Sequence, residues 1–363
     1  MTTVDQQTQR RIGRVGLTAH DPAKACPGYV LYTPMSGRGD VYLIDVDGNV
    51  AHQWRMPYPP GLYGYLLPNG NMFYGGKVQD ETWDRFPAWN RFKGGVMIEV
   101  DRHANVVWEH RDPEHHHDHR RTESGGALYM TLELMDPALA AKVQGGVPDS
   151  GPEGMWHDVL VEVDAQGNRI WEWRAAEHLD LGKHVVTMND LRNEWSHGNT
   201  IAPLGNDRVM FSFRNVSTIG IIDKASGEIV WQLGYEILAQ QHDPNMLPNG
   251  NVLVFDNGSH RSGSGLPFSR VIEVNPANNE IVWEYTDNPA YNFFSSYISG
   301  ARRLPNGNTL ITEGQTGRMF QVTPECEVVW EYINPHFHLD TDDELGNRVF
   351  RATHYLKEDI PWL

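Results

Sequence analysis

The pentapeptide Leu-Pro-Asn-Gly-Asn occurs three times, at Leu67–Asn71, Leu247–Asn251 and Leu304–Asn308, and each copy leads into a short apolar run. Proline presets φ and Asn-Gly accepts positive φ, so each copy reads as a tight turn between two strands. A degenerate copy, LGNDR at Leu204–Arg208, leads into VMFSF, and SGGAL at Ser124–Leu128 fills the corresponding place in another unit. A second signature follows each turn: an alternating strand, a polar turn, and a strand ending in tryptophan. Its copies close at Trp54, Trp108, Trp171, Trp231, Trp283 and Trp330, which is half of the 12 tryptophans. One residue type at one repeated position is a shared packing role. Units of about 50 residues with four short strands are propeller blades. A lone four-stranded sheet cannot bury both faces, so such units must pack radially on one another. Solenoid repeats are shorter and leave open ends. The expected fold is therefore all-β, a six-bladed β-propeller closed by strands from both termini, Gly28–Pro34 and Arg348–Leu356. Residues 1–27 are expected to form an arm outside the ring, and residues 28–363 a single propeller domain. The stretch 337–347, FHLDTDDELGN, reads as an acidic surface loop.

Composition narrows the partners. The formal net charge is −17, and no basic block exceeds Arg120–Arg121 or Arg302–Arg303 with their neighbours. Nucleic acid and anionic membranes reward clustered Lys and Arg, so neither is an expected partner. The two cysteines, Cys26 and Cys326, lie at opposite ends of the chain and exclude a disulfide framework. No apolar stretch approaches the roughly 20 residues of a membrane span. The first residues have no signal-peptide h-region. A soluble, cytoplasmic protein is expected, with its oligomeric state open.

The segments that lead into the innermost strand of each blade project toward one mouth of the central channel. They are not alike: Glu114–Glu123 reads EHHHDHRRTE, Glu194–Pro203 reads EWSHGNTIAP and Gln240–Met246 reads QQHDPNM. Histidines thus fall at equivalent places in three consecutive units: His116 or His117, then His197, then His242. Radial packing would bring them together. Arg214 ends the strand after His197 and matches Asn257 and Gly314 in the following units, so an arginine stands where neighbours carry neutral residues. Its planar fork suits a tetrahedral oxyanion.

On these residues the chain resembles the bacterial arylsulfate sulfotransferases. The resemblance lies in HGN at His197–Asn199 followed by SFR ending at Arg214, in IDKASGEIVWQLG at Ile222–Gly234, and in QHD followed by LPNGNVLVFDNG. It runs over about residues 28–356 and is strongest over Trp195–Gly258. It implies a six-bladed propeller that moves a sulfuryl group from a phenol ester to another phenol through a sulfated histidine, with no nucleotide donor or other cofactor. Carried over, His242 is the nucleophile, His197, Asn199 and Arg214 accompany it, and a His-Asp pair of the preceding blade corresponds to His117–Asp118. The catalytic set so implied is His242, His197, Arg214 and His117. Asn199, His116, Asp118, Tyr65 and Trp156 are expected against a small phenolic substrate, with Tyr63 an alternative to Tyr65 for stacking on its ring. The chain departs from well-studied periplasmic members: no signal peptide or N-terminal β-sandwich is expected, and the third unit has an enlarged histidine cluster and an insertion, Leu132–Asp158.

The residues themselves leave two other readings open. His117, His197 and His242 would make a three-histidine set for a divalent transition metal, with His115, His116, His119 and His157 in reserve, supporting hydrolysis, elimination or oxidation. A non-catalytic binding propeller is the other reading. His336, His338 and His354 fall outside the register and are expected to be structural. GxSxG, P-loop, HExxH and dinucleotide motifs are absent, and Gly258–Gly265 reads as a flexible rim segment.

Overall fold

The computed structural model describes residues 3–148, 154–261, 263 and 265–363. Part of the third-unit insertion, residues 149–153, and Ser262 and Ser264 of the rim segment lie outside the described residues. Six antiparallel sheets of four or five strands are arranged as propeller blades. In chain order, the inner strands of blades two to six are Pro60–Leu66, His116–Arg121, Gly198–Gly205, His242–Met246 and Ser299–Arg303. Blade one is composite: its three outer strands follow the N-terminal segment, and its inner strand, Val349–Tyr355, comes from the end of the chain and pairs with Tyr29–Pro34. The ring is closed by the two segments expected from the sequence. Strand Gly16–His20 adds to blade six as a fifth, outermost strand beside Val328–Ile333.

The repeat has a physical reason beyond the turn itself. In Leu67–Asn71, Leu67 N donates to Asn71 O at 2.7 Å, and Gly70 takes φ +81°, where a side chain would be strained. Asn69 and Asn71 then donate to Glu99 of the third strand at 3.2 and 2.7 Å. Arg121 from the next blade's inner strand binds the same carboxylate at 2.8 Å and lies 4.0 Å over the Trp108 ring. Blade five repeats the device with Asn249, Asn251, Glu273, Arg303 and Trp283. These two copies thus tie their own blade together and fasten it to the next, whereas in Leu304–Asn308 the asparagines Asn306 and Asn308 donate to Lys24 O at 3.2 and 2.8 Å.

The tryptophans make a second set of fasteners. The indole N–H groups of Trp108, Trp171, Trp283 and Trp330 donate to a carbonyl in the outer turn of the following blade, at 3.1, 3.2, 2.8 and 2.7 Å. Trp231 donates to the Asn279 side chain at 3.0 Å. Blade one departs from the expected register. His52, not Trp54, occupies the repeated position, opposite Leu43 as Trp108 is opposite Glu99. Its Nε2 bonds Arg102 O at 2.9 Å, while Trp54 packs in the core against Trp362. A terminal tryptophan two residues out of phase had imitated the pattern.

The stretch 337–347 is also not a plain surface loop. His338–Leu339 pairs with Leu345–Gly346 as a small hairpin, and Arg348 binds Asp340 and Glu344 across its base at 2.7 and 3.0 Å.

Candidate functional site

A cavity of about 740 Å³ opens at one mouth of the channel, and every blade contributes to it near the start of its inner strand: Leu62, His117, His197, His242, Ile298 and Arg348. Phe92, from the short helix Trp89–Phe92, and the hairpin residues Leu339, Asp340 and Glu344 complete the wall. His117 and His197 both take φ +50°, a conformation uncommon for residues with a side chain. Two neighbouring blades hold the same unusual backbone where the same residue type faces the cavity.

His242 is buried, and its Nδ1 lies 2.8 Å from Asn257 Oδ1. Asn257 spends its amide N–H on the Ser295 carbonyl, also at 2.8 Å, so its oxygen must face the imidazole. His242 therefore carries its proton on Nδ1 and leaves the Nε2 lone pair free. Burial pushes this histidine well below its ordinary pKa, and the Arg214 charge adds to the effect. A neutral imidazole with a fixed tautomer and a free Nε2 is a nucleophile at neutral pH.

Arg214 and His197 stand beside it in the same cavity. The Arg214 amide donates to His197 O at 3.0 Å, which links the two positions. Nη1 of Arg214 reaches Asn215 Oδ1 at 3.1 Å, and its buried Nε has no hydrogen-bond partner among the described residues. His197 Nδ1 meets Glu194 Oε1 at 2.6 Å. His117 packs against His197 with ring centroids 4.7 Å apart, and burial, with the charges of His197 and His116, holds it well below its ordinary pKa. Behind His117, Nδ1 of His116 lies 2.8 Å from Nδ1 of His117.

The other expected contacts do not face the cavity. Asn199 is fully buried and donates to Gln241 O at 2.8 Å, so it fixes the backbone just before His242. Its Oδ1 accepts from Thr200 Oγ1 at 3.1 Å, and the residue does not line the cavity. Asp118 lies deeper, in a plug that fills the channel with at least one residue from each blade. Arg351 binds Asp118 at 3.2 Å, Asp243 at 2.9 Å and Thr200 Oγ1 at 3.1 Å. Arg120 binds Asp118 at 2.6 Å, Arg302 binds Asp243 at 2.7 Å, and Tyr63 hydrogen-bonds Asp118. Burial pushes the Asp118 carboxyl up, but Arg120 and Arg351 outweigh it and hold it at about 2. Tyr65 spends its hydroxyl on the Arg121 amide at 2.8 Å, and Trp156 packs under Arg85 at 4.3 Å. Both lie in the packing, whereas Phe92 and Leu62 line the cavity. His116 is a support behind His117, not a contact.

The sequence reading missed Asn257, Glu194, Phe92 and the hairpin. Asn257 reaches His242 across from the neighbouring strand, whereas Glu194 lies only three residues before its partner His197, within the same lead-in. Among the described residues no group of three or more His, Cys, Asp or Glu is placed to hold a metal ion. Likewise, no helix of the described residues is long and apolar enough to cross a membrane. His354 bonds Pro27 O at 3.0 Å, and His336 stacks on Tyr42.

Comparison with known proteins adds a family. A family model described as arylsulfotransferase (ASST) matches residues 90–335, more than half of the chain. No curated protein matches. Among solved structures, a protein of unknown function from Bacteroides caccae is 14% identical, with 91% of this chain and 99% of that chain covered and a TM-score of 0.54. A streptogramin B lyase is 12% identical, with 94% of each chain covered and a TM-score of 0.50. At such identities these likenesses speak to the fold alone.

Proposed function

Because the chain belongs to the arylsulfotransferase family, we infer that it transfers a sulfuryl group between small phenolic compounds through a sulfated His242. The observation that carries this reading is the Asn257 bond, which leaves Nε2 of a neutral, buried histidine free at the cavity. In the first half-reaction Nε2 attacks sulfur, the S–O bond to the phenol breaks, and its electron pair leaves on the phenolate. The Nδ1 proton stays on His242, donated to Asn257 Oδ1, so the product is a sulfoimidazolium, itself a good leaving group. Arg214 and His197 are assigned to the sulfuryl oxygens, where preorganised donors act most strongly. His117 donates a proton to the leaving phenolate and takes one from the incoming phenol. The second half-reaction returns sulfur from Nε2 to the acceptor oxygen. No cofactor enters this scheme, and neither nucleic acid nor membrane takes part.

Cys26 and Cys326 are both free thiols. That fits a reducing compartment, and we place the protein in the cytoplasm.

The test is ping-pong kinetics. With p-nitrophenyl sulfate as donor and varied phenol as acceptor, double-reciprocal plots should be parallel, and the donor alone should exchange its phenol for added labelled phenol. Intersecting lines without exchange would replace this scheme with direct transfer in a ternary complex.

A further inference from the structure

Behind His117 lies a row of buried groups that the reaction above leaves unused. Nδ1 of His117 is 2.8 Å from Nδ1 of His116, so one of these nitrogens must carry a proton. On the far side, Nε2 of His116 stands 3.2 Å from Asp158 Oδ1 as an ion-pair contact. All three side chains are buried. Asp158 is itself anchored: it accepts from Gly198 N at 2.9 Å and from Ser196 Oγ at 2.5 Å. Trp89 and Phe92 flank the His116 ring with centroids 6.1 and 6.2 Å away. Water therefore has little access, and the row leads from a fixed carboxylate to the cavity.

We propose that Asp158, His116 and His117 form a proton relay in which the stored proton rests on His116 and His117 changes tautomer. In the resting relay His116 is protonated on both nitrogens, balanced by Asp158, and its Nδ1–H donates to Nδ1 of His117. His117 is then neutral with its single proton on Nε2, toward the cavity. As the donor's S–O bond breaks, that Nε2 proton moves to the phenolate and the His116 Nδ1 proton moves to His117 Nδ1. His117 is neutral again, with Nε2 now a lone pair, and His116 is neutral with Nε2–H toward Asp158. The incoming phenol then gives its proton to His117 Nε2, the His117 Nδ1 proton returns to His116, and the phenolate oxygen attacks sulfur. Over both half-reactions no proton is gained or lost.

Two observations support this order. Burial and the neighbouring charges of His197, His116, His242 and Arg214 all disfavour a charged His117, and the relay never requires one. Asp158 stays ionised because His116, Ser196 and Gly198 outweigh the effect of its burial, so its counter-charge is permanent. His116 and Asp158 are thus positioning residues that act through His117. The enlarged HHHDH cluster gains a reason: a second histidine directly before the cavity histidine is what the relay needs.

The relay rests on the sulfuryl-transfer reading, and its test separates the two. Nitrogen NMR of free wild-type protein should show His116 protonated on both nitrogens and His117 on Nε2 alone. A neutral His116, or a His117 carrying its proton on Nδ1, overturns the relay whatever the enzyme's activity. His116→Gln and Asp158→Asn should then be assayed with two donors. General acid assistance is worth on the order of 10²–10⁴, and it matters for a basic leaving group. The variants should lose about 100-fold or more with phenyl sulfate but under about tenfold with p-nitrophenyl sulfate, whose phenolate leaves unaided. Equal losses with both donors would mark a structural role only and contradict the proposal.

Discussion

His117 and Asp118 are adjacent, as are His242 and Asp243, yet the members of each pair live in opposite settings. The aspartates point into the plug, where Arg120, Arg302 and Arg351 pair with them. The histidines face a cavity where polar groups are left incomplete: Nε2 of His242 is free, and Arg214 Nε and Glu194 Oε2 lack partners among the described residues. One residue along the same strand separates saturated charge from poised charge. The plug spends its polar groups on holding six blades in register, whereas at the cavity His242 is held by Asn257, His197 by Glu194 and Arg214 by Asp190 and Asn215, with Nε2 of His242 left over. Exposure separates the two regions as well: Asp118, Asp243 and Arg351 are buried, whereas Arg214 and His197 are half-buried at the cavity.

The comparison breaks most visibly at Arg351. Removing one partner of a buried ionic network costs about 3–5 kcal/mol, because the remaining charges are stranded. Arg351→Met leaves Asp118 and Asp243 short of a partner, and denaturant unfolding should show a loss of that size. Arg214→Met should do the reverse. Loss of one oxyanion donor costs on the order of 10²–10³ in rate, so kcat/KM should fall by that factor while the unfolding free energy changes by less than about 1 kcal/mol. If Arg214→Met unfolds the protein as readily as Arg351→Met, the division between plug and cavity is wrong.

A smaller effect sharpens the same line. Asn257 serves the cavity from outside it, by fixing the His242 tautomer. A buried hydrogen bond of this kind is worth about 1–3 kcal/mol when one partner is removed. Asn257→Ala should therefore slow phenol release by about tenfold to a hundredfold. Asn199→Ala, by contrast, releases the backbone at Gln241, and its effect should appear in melting temperature as well as in rate.

Acid should act on both regions in one direction. Burial first, and then neighbouring positive charge, depresses His117 and His242 in the fold. The His119 imidazole is pushed down to about 3 by burial, against which Asp118 works only partly. The unfolded chain therefore binds these protons first. Stability from this source is complete above the ordinary histidine range near pH 6.5 and drains away as pH falls below it. A melting temperature that holds flat between pH 7 and pH 5 would contradict these buried neutral histidines. Activity should follow a different course, since a neutral His242 keeps its nucleophile well below pH 6.5 as long as the protein stays folded.

Much of this was legible in the sequence because propeller blades repeat. The turn chemistry of LPNGN and the tryptophan period set the blade count, and the same register brought His117, His197 and His242 to one mouth. Short-range patterns failed where partners come from far along the chain. Arg351 belongs to the last strand yet binds residues of blades two, three, four and five. Asn199 sits in the right motif, but its contact with Gln241 depends on how two blades abut. The hairpin around Asp340 looked like loop because its pairing is short and its charges are satisfied by Arg348. Trp54 shows the converse error, in which a residue type matched and its register did not.

The central claim is that His242 carries the sulfuryl group, and a single-turnover burst tests it most directly. Mixed with excess p-nitrophenyl sulfate and no acceptor, the protein should release one phenol per active site in a rapid phase, and the peptide bearing His242 should then carry an acid-labile sulfate. His242→Ala should show neither. A protein that turns over with no burst, or whose sulfate is found on another residue, would contradict the account.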